Sequence, residues 1–200
     1  MLPLLLAGFG TGLSLIVAIG SQNAFLLQQG LRGGPVAPLV AICAASDLVL
    51  IGLGVSGIGV ALGRWPAAIS VTAVCGGLFL LGYGALAARR AFRPSVMTVG
   101  EERIPLGKAA LACLAFTWLN PHVYLDTVLL LGSVAVAHGE GRWLFGLGAG
   151  LASMVWFSAL GFGARRLAGI FARPAAWRAL DALVAVTMTC LGVSLLLSRT

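Results

Sequence analysis

Asp47 and Asp126 lie inside long apolar stretches, in a chain with only six acidic residues. An ionisable side chain at the centre of a spanning helix costs roughly 2.5–3.5 kcal/mol on insertion scales. Two of them cost on the order of 5–7 kcal/mol, comparable to the whole stability of a small domain. Residues tolerated at that cost line substrate or ion paths. Such a carboxylate binds a cation when ionised and carries a proton when neutral. Two polar interruptions accompany the pair. Gly20-Ser21-Gln22-Asn23 breaks the first apolar run, which is free of charge from Met1 to Leu31. Asn120-Pro121-His122 breaks the run that carries Asp126. Pro121 removes a backbone donor and clashes with the carbonyl four residues back. In a membrane the freed groups need side chains, water or a ligand as partners. A helix restarting after Ser21 or Asn120 aims N–H groups and a positive dipole end at whatever lies before it, which suits a carboxylate. Two aspartates opposite would suit a cation. Together they describe a zwitterion with one extra positive charge, a basic amino acid.

The elements that must hold these residues follow from composition. Of the 200 residues, 60% are hydrophobic and 10% charged, with a mean hydropathy of +1.02; soluble domains carry about 25% charged residues. The chain therefore reads as an all-α polytopic membrane protein. Six stretches reach the ~20 apolar residues a span needs: about Leu4–Leu27, Val36–Leu62, Pro66–Ala88, Ala109–Val136, Trp143–Ala164 and Leu180–Leu197. They form a single transporter domain over 1–200, with half-repeats about 1–88 and 109–200 joined by a basic loop 89–108. Three spans per half require the second half to lie inverted, as in many secondary transporters, and broken helices 1 and 4 then occupy matching positions. Ala45-Ser46 recurs as Ala152-Ser153, and Cys75-x-Gly77 as Cys190-x-Gly192.

Charge sets the expected orientation. Arg32, the basic residues of 89–108, and Arg165, Arg166, Arg173 and Arg178 fall on one side; Arg64, Arg142 and Arg199 fall on the other. The positive-inside rule then puts both termini outside. The formal net charge of +7 is accounted for by topology, so no nucleic acid is expected as a partner. The first run has no basic residue before it, unlike a secretory leader, and is read as a retained span. Trp65 and Trp143 near span ends fit interfacial belts.

Other features read as scaffold. Cys43, Cys75, Cys113 and Cys190 are isolated in sequence, so neither a metal site nor a dithiol relay is encoded locally, and no cofactor is expected. Gly52-x-Gly54-x-x-Gly57 matches a dinucleotide fingerprint, but without a preceding strand it reads as helix packing. Asp181, placed at the start of the sixth span, reads as a complement to the helix dipole. His122 reads as a partner for a freed carbonyl, and Tyr124 and Trp118 as walls.

Gly20-Ser-Gln-Asn-Ala-Phe, Gln29-Gly-Leu-Arg32, Ser46-Asp47-Leu and Thr117-Trp-Leu-Asn-Pro-His-Val-Tyr-Leu-Asp126 closely resemble the lysine/arginine exporter (LysE) family. The likeness runs from end to end. It implies a secondary active exporter in the bacterial inner membrane, not an enzyme, moving L-lysine or L-arginine out of the cytoplasm, with protons as the counter-ion. The substrate site would comprise Ser21, Gln22, Asn23, Asp47, Asn120, Pro121 and Asp126, with Asp47 and Asp126 coupling protons. An exporter of neutral amino acids such as threonine or homoserine is the alternative. A membrane thiol-transfer enzyme on a related scaffold would need paired cysteines that the sequence lacks. The family usually has proline where this chain has Ser21, so helix 1 is expected to pass its break more smoothly. So small a bundle also suggests a homodimer.

Overall fold

The computed structural model describes residues 1–17, 20–58, 66–92, 104–167 and 174–197. All the regular structure in them is helical. The elements are α1 (Leu2–Ile16), α2 (Ser21–Leu31), α3 (Val36–Val55), α4 (Pro66–Phe92), α5 (Leu106–Trp118), α6 (Pro121–Ala137), α7 (Arg142–Gly163) and α8 (Pro174–Leu197). Prolines open α4, α6 and α8, where a missing N–H costs nothing and the fixed φ favours entry into a helix.

The expected first and fourth spans are each two helices. The axes of α1 and α2 differ by 81°, and those of α5 and α6 by 57°. Among the described residues three stretches are singly long and apolar enough to cross a membrane: α3, Gly139–Arg166 and α8. The bent pairs raise this to five. By length alone α4, 27 residues or about 40 Å, completes six. Boundaries shift from those expected. Helix α3 stops at Val55, where Gly57 adopts φ +88°. Helix α8 begins at Pro174 rather than Leu180, which moves Asp181 two turns inside the helix. The centre of the basic loop, with Arg93, Arg103, Glu101 and Glu102, lies outside the described residues, as do Arg64, Trp65, Arg173 and Arg199.

The helices pack in pairs. The broken pair α1–α2 packs on α7, and the broken pair α5–α6 packs on α3; α3 pairs with α7, and α4 with α8. Lipid supplies no hydrophobic drive between helices, so close approach depends on small residues. Gly8 and Gly12 seat α1 against Phe145 and Ala149 of α7. Gly54 of α3 and Gly132 of α6 meet backbone to backbone. Gly77 and Gly192, the glycines of the recurring Cys-x-Gly, face each other reciprocally: a Cβ on Gly77 would lie 3.1 Å from the Gly192 carbonyl oxygen, and one on Gly192 would lie 3.0 Å from that of Gly77. The larger core gathers Phe25, Leu39, Leu80, Phe116, Phe157 and Met188; the smaller joins Ile51, Val55, Leu131 and Phe145. Leu78, Leu111, Leu147, Val155 and Val186 point outward, as lipid-facing residues do. Trp143 is exposed at the start of α7 beside Arg142, as an interfacial residue should be.

One end of the bundle is basic. Arg32 ends α2, Arg89 and Arg90 end α4, Lys108 begins α5, Arg165 and Arg166 follow α7, and Arg178 begins α8. Contacts of Gly30 with Gly161 and Ala164, and of Arg32 and Arg90 with Asp181, hold these helix ends together. Among the described residues only Arg142 lies at the other end.

Candidate functional site

At each break an extended residue precedes the second helix. Gly20, at φ −99° and ψ 175°, precedes α2; Asn120, at φ −100° and ψ 106°, precedes α6. The expectation that Ser21 would let helix 1 pass smoothly is not met: α1 ends at Ile16, α2 starts at Ser21, and the bend between them is sharper than the one at the proline. An extended residue such as Gly20 cannot continue a helix, whatever follows it. Pro121, correspondingly, does not kink a continuous helix; it is the first residue of a new one, and the clash with an upstream carbonyl does not arise.

Side chains supply what the breaks leave open. Asn23 Nδ2 donates to the Ile16 carbonyl at 2.6 Å, and Trp156 Nε1 donates to Asn23 Oδ1 at 3.3 Å. At the second break the Asn120 side chain accepts from the His122 N–H at 3.1 Å, and the Tyr124 hydroxyl donates to the Trp118 carbonyl at 2.8 Å. These two asparagines therefore staple the breaks. Tyr124 takes the carbonyl-satisfying part read for His122, whose imidazole is exposed. Beyond Val123 the chain winds as a π helix over Tyr124–Leu131, a form concentrated at functional sites, and Asp126 lies in its first turn.

Between the breaks lies a cavity of about 320 Å³, at the small end of ligand pockets. Ser21, Gln22, Asn23, Asp47, Asn120 and Asp126 all line it; so do Gly20, His122, Thr127, Phe157 and Leu191. Pro121 is buried behind it as the first residue of α6. The cavity's two chemical characters are separate. Asp47 is 6% exposed and accepts one hydrogen bond, from Ser153 Oγ at 2.8 Å. No Lys or Arg among the described residues pairs with it. Asp126 is exposed. No side chain caps α2 within the described residues, and the buried Ser21 Oγ and Gln22 Nε2 have no hydrogen-bond partner there. The same lining thus offers donors without acceptors and carboxylates without a basic partner. The arrangement can hold a small molecule carrying both charges.

The family model for the LysE type translocator matches residues 13–199. The chain belongs to the LysE family. It is 39% identical over 191 residues to the arginine exporter protein ArgO of Serratia proteamaculans, covering 94% of this chain and 93% of that one. It is 35% identical over 214 residues to the lysine exporter LysE of Corynebacterium diphtheriae, covering 92% and 94%. A Mycobacterium tuberculosis protein provisionally called an amino-acid transporter is 49% identical over 191 residues, 93% of each chain. No solved structure matches. Membership in a translocator family agrees with the helices: this is a membrane transporter, with the cavity between its broken helices.

Three features of this LysE-family chain escaped the sequence. Ser153 holds Asp47 from 106 positions away; only the recurring Ala-Ser pair pointed to it. Its counterpart Ser46 accepts from Trp118 Nε1 at 3.2 Å. Cys43 and Cys113, read as isolated, bring their sulfurs within 3.1 Å across α3 and α5. Asp181 is not a helix-dipole partner: it is 4% exposed and lies 2.7 Å from Gln28 Nε2, 3.3 Å from Arg90 Nε and 3.7 Å from an Arg32 terminal nitrogen. The Gly54 contact with α6 bears out the packing reading of the glycine motif, while Gly52 faces open space.

Proposed function

We propose that the protein is a secondary active exporter of basic L-amino acids, L-lysine or L-arginine, working by proton antiport in the bacterial inner membrane. The observation that carries this reading is one cavity lined by two carboxylates and by unpartnered polar groups at a helix start. Ser21, Gln22 and the start of α2 would receive the substrate carboxylate. Asp47 and Asp126 would receive the side-chain cation. The names of the relatives, a lysine exporter and an arginine exporter, support the same substrate class. The basic end of the bundle would face the cytoplasm, with both termini outside. The pairwise packing of the halves supports an inverted repeat of about 1–88 and 109–200.

Energy fixes the need for coupling. Moving one positive charge outward against an inside-negative potential costs about 2.3 kcal/mol per 100 mV. A passive pore would admit basic amino acids rather than export them. A proton carried inward on Asp47 or Asp126 each time the substrate leaves cancels that charge. One proton per monocation is electroneutral and draws on the pH gradient alone; two would also draw on the potential.

The test uses purified protein in vesicles with an imposed pH gradient and labelled L-arginine and L-lysine. Movement that requires the gradient and vanishes in Asp47→Asn and Asp126→Asn is the expected result. Gradient-driven movement of threonine or homoserine, with neither basic amino acid moved, would shift the specificity to neutral substrates. Undiminished transport by Asp47→Asn would remove Asp47 from the mechanism.

A further inference from the structure

The second buried aspartate lies outside the cavity. Helix α2 connects the two sites: Ser21 opens it in the cavity and Gln28 lies two turns on, with Arg32 just past its end, about 16 Å away. Between them Phe25 and Phe116 pack with ring centroids 5.2 Å apart, and Tyr83 closes edge-on against Phe116 at 5.0 Å. Below this plug three elements converge on one carboxylate. Gln28 comes from α2, Arg90 from the last turn of α4, and Asp181 from α8. The Tyr83 hydroxyl donates to Gln28 Oε1 at 3.1 Å, tying the plug to the ion pair. Arg90 also lies over the Tyr83 ring at 5.6 Å. Gln28, Arg32 and Arg90 stand at helix ends on the basic face, and with Asp181 and the rings they lie between that face and the cavity.

We propose that Asp181 is the hub of an ionic latch shutting the basic end, and that it is also the first site met there by the cation of a basic substrate. Arg90 is the group such a cation would replace. Its side chain is 26% exposed against 9% for Arg32, it touches Asp181 through Nε alone, and one terminal nitrogen has no hydrogen-bond partner among the described residues. A guanidinium or ammonium arriving from that face takes the place of the Arg90 guanidinium on Oδ1. Charge at the carboxylate is conserved, while the last turn of α4 is released from Asp181. The substrate arm of this inference rests on the function proposed above; the latch itself does not.

Two measurements separate them. In a background with the four native cysteines replaced, Thr127→Cys places a reporter in the cavity wall and Lys108→Cys marks the basic face. A membrane-impermeant maleimide added from the Lys108 side should label Thr127→Cys slowly in the otherwise unaltered protein and several-fold faster with Asp181→Asn or Arg90→Ala. Equal rates in all three would overturn the latch. Should Asp181→Asn fail to fold, Arg90→Ala decides the same point, and Asp181→Glu should restore slow labelling. The second measurement is KM for L-arginine presented at the basic face. Arg90→Ala uncovers the carboxylate and should lower KM several-fold; Asp181→Asn removes it and should raise KM several-fold. A purely structural pair would shift both variants in the same direction, which would overturn the substrate site. If the unaltered protein moves neither arginine nor lysine, the substrate arm falls with the proposed function, and the labelling rates still decide the latch.

Discussion

Asp47 and Asp181 are buried to nearly the same degree, 6% and 4% exposed, and their surroundings are opposite. Asp181 is neutralised from within by two guanidiniums and an amide. Asp47 has one hydroxyl donor and an open cavity before it. A carboxylate out of water needs a counter-charge. The protein supplies one at Asp181 and leaves it to be supplied from outside at Asp47. The first arrangement holds helices together; the second, on the proposed function, is where a substrate cation or a proton would be received.

Substitution should separate the two most strongly in transport. Asp47→Asn removes a desolvated ion partner worth about 3 kcal/mol to a bound cation, so coupled export should drop about a hundredfold in the vesicle assay. Its thermal midpoint should hold or rise, because an uncompensated buried carboxylate has gone. Asp181→Asn should do the reverse to stability. It strands two guanidiniums and should cost about 3 kcal/mol, the low end for a broken buried pair because Arg90 is partly exposed. Denaturation in detergent would read this. Equal destabilisation by the two variants would end the contrast.

Smaller changes sharpen it. Ser153→Ala takes away the hydrogen bond that Asp47 accepts among the described residues and should weaken substrate affinity by about 1 kcal/mol, roughly fivefold, without abolishing export; a total loss would make Ser153 more than a prop. Smallest of all, Ser21→Pro restores the residue the family usually has. Gly20 is already extended and Ser21 already the first helical position, so stability should move by no more than about 0.5 kcal/mol. A large loss would show that the Ser21 N–H or hydroxyl is needed at that position.

The same contrast explains what could be read before the fold was known. Asp47, Asp126 and the two polar breaks stand out in the sequence because each violates an apolar run, and the violation needs no partner to be visible. The cavity unites them because both breaks open onto it. Asp181 was not legible. It follows Trp177-Arg178-Ala-Leu, which blurs the start of the last span, and its partners come from positions 28, 32 and 90. A residue satisfied by distant partners leaves no local mark. Cys43 and Cys113, 70 positions apart, were hidden for the same reason. Ser21 in place of proline suggested a smoother passage, yet the extended Gly20 before it interrupts the helix without one.

The reciprocal meeting of Gly77 and Gly192 has a mechanical consequence. Helices that touch through large side chains interlock, ridge into groove, and resist turning. At this crossing Leu196 of α8 lies against Gly77 and Leu81 of α4 against Gly192, each seated in the notch that the facing glycine leaves. The two helices are keyed to each other there, so a change of shape would carry α4 and α8 as one piece rather than turn one upon the other.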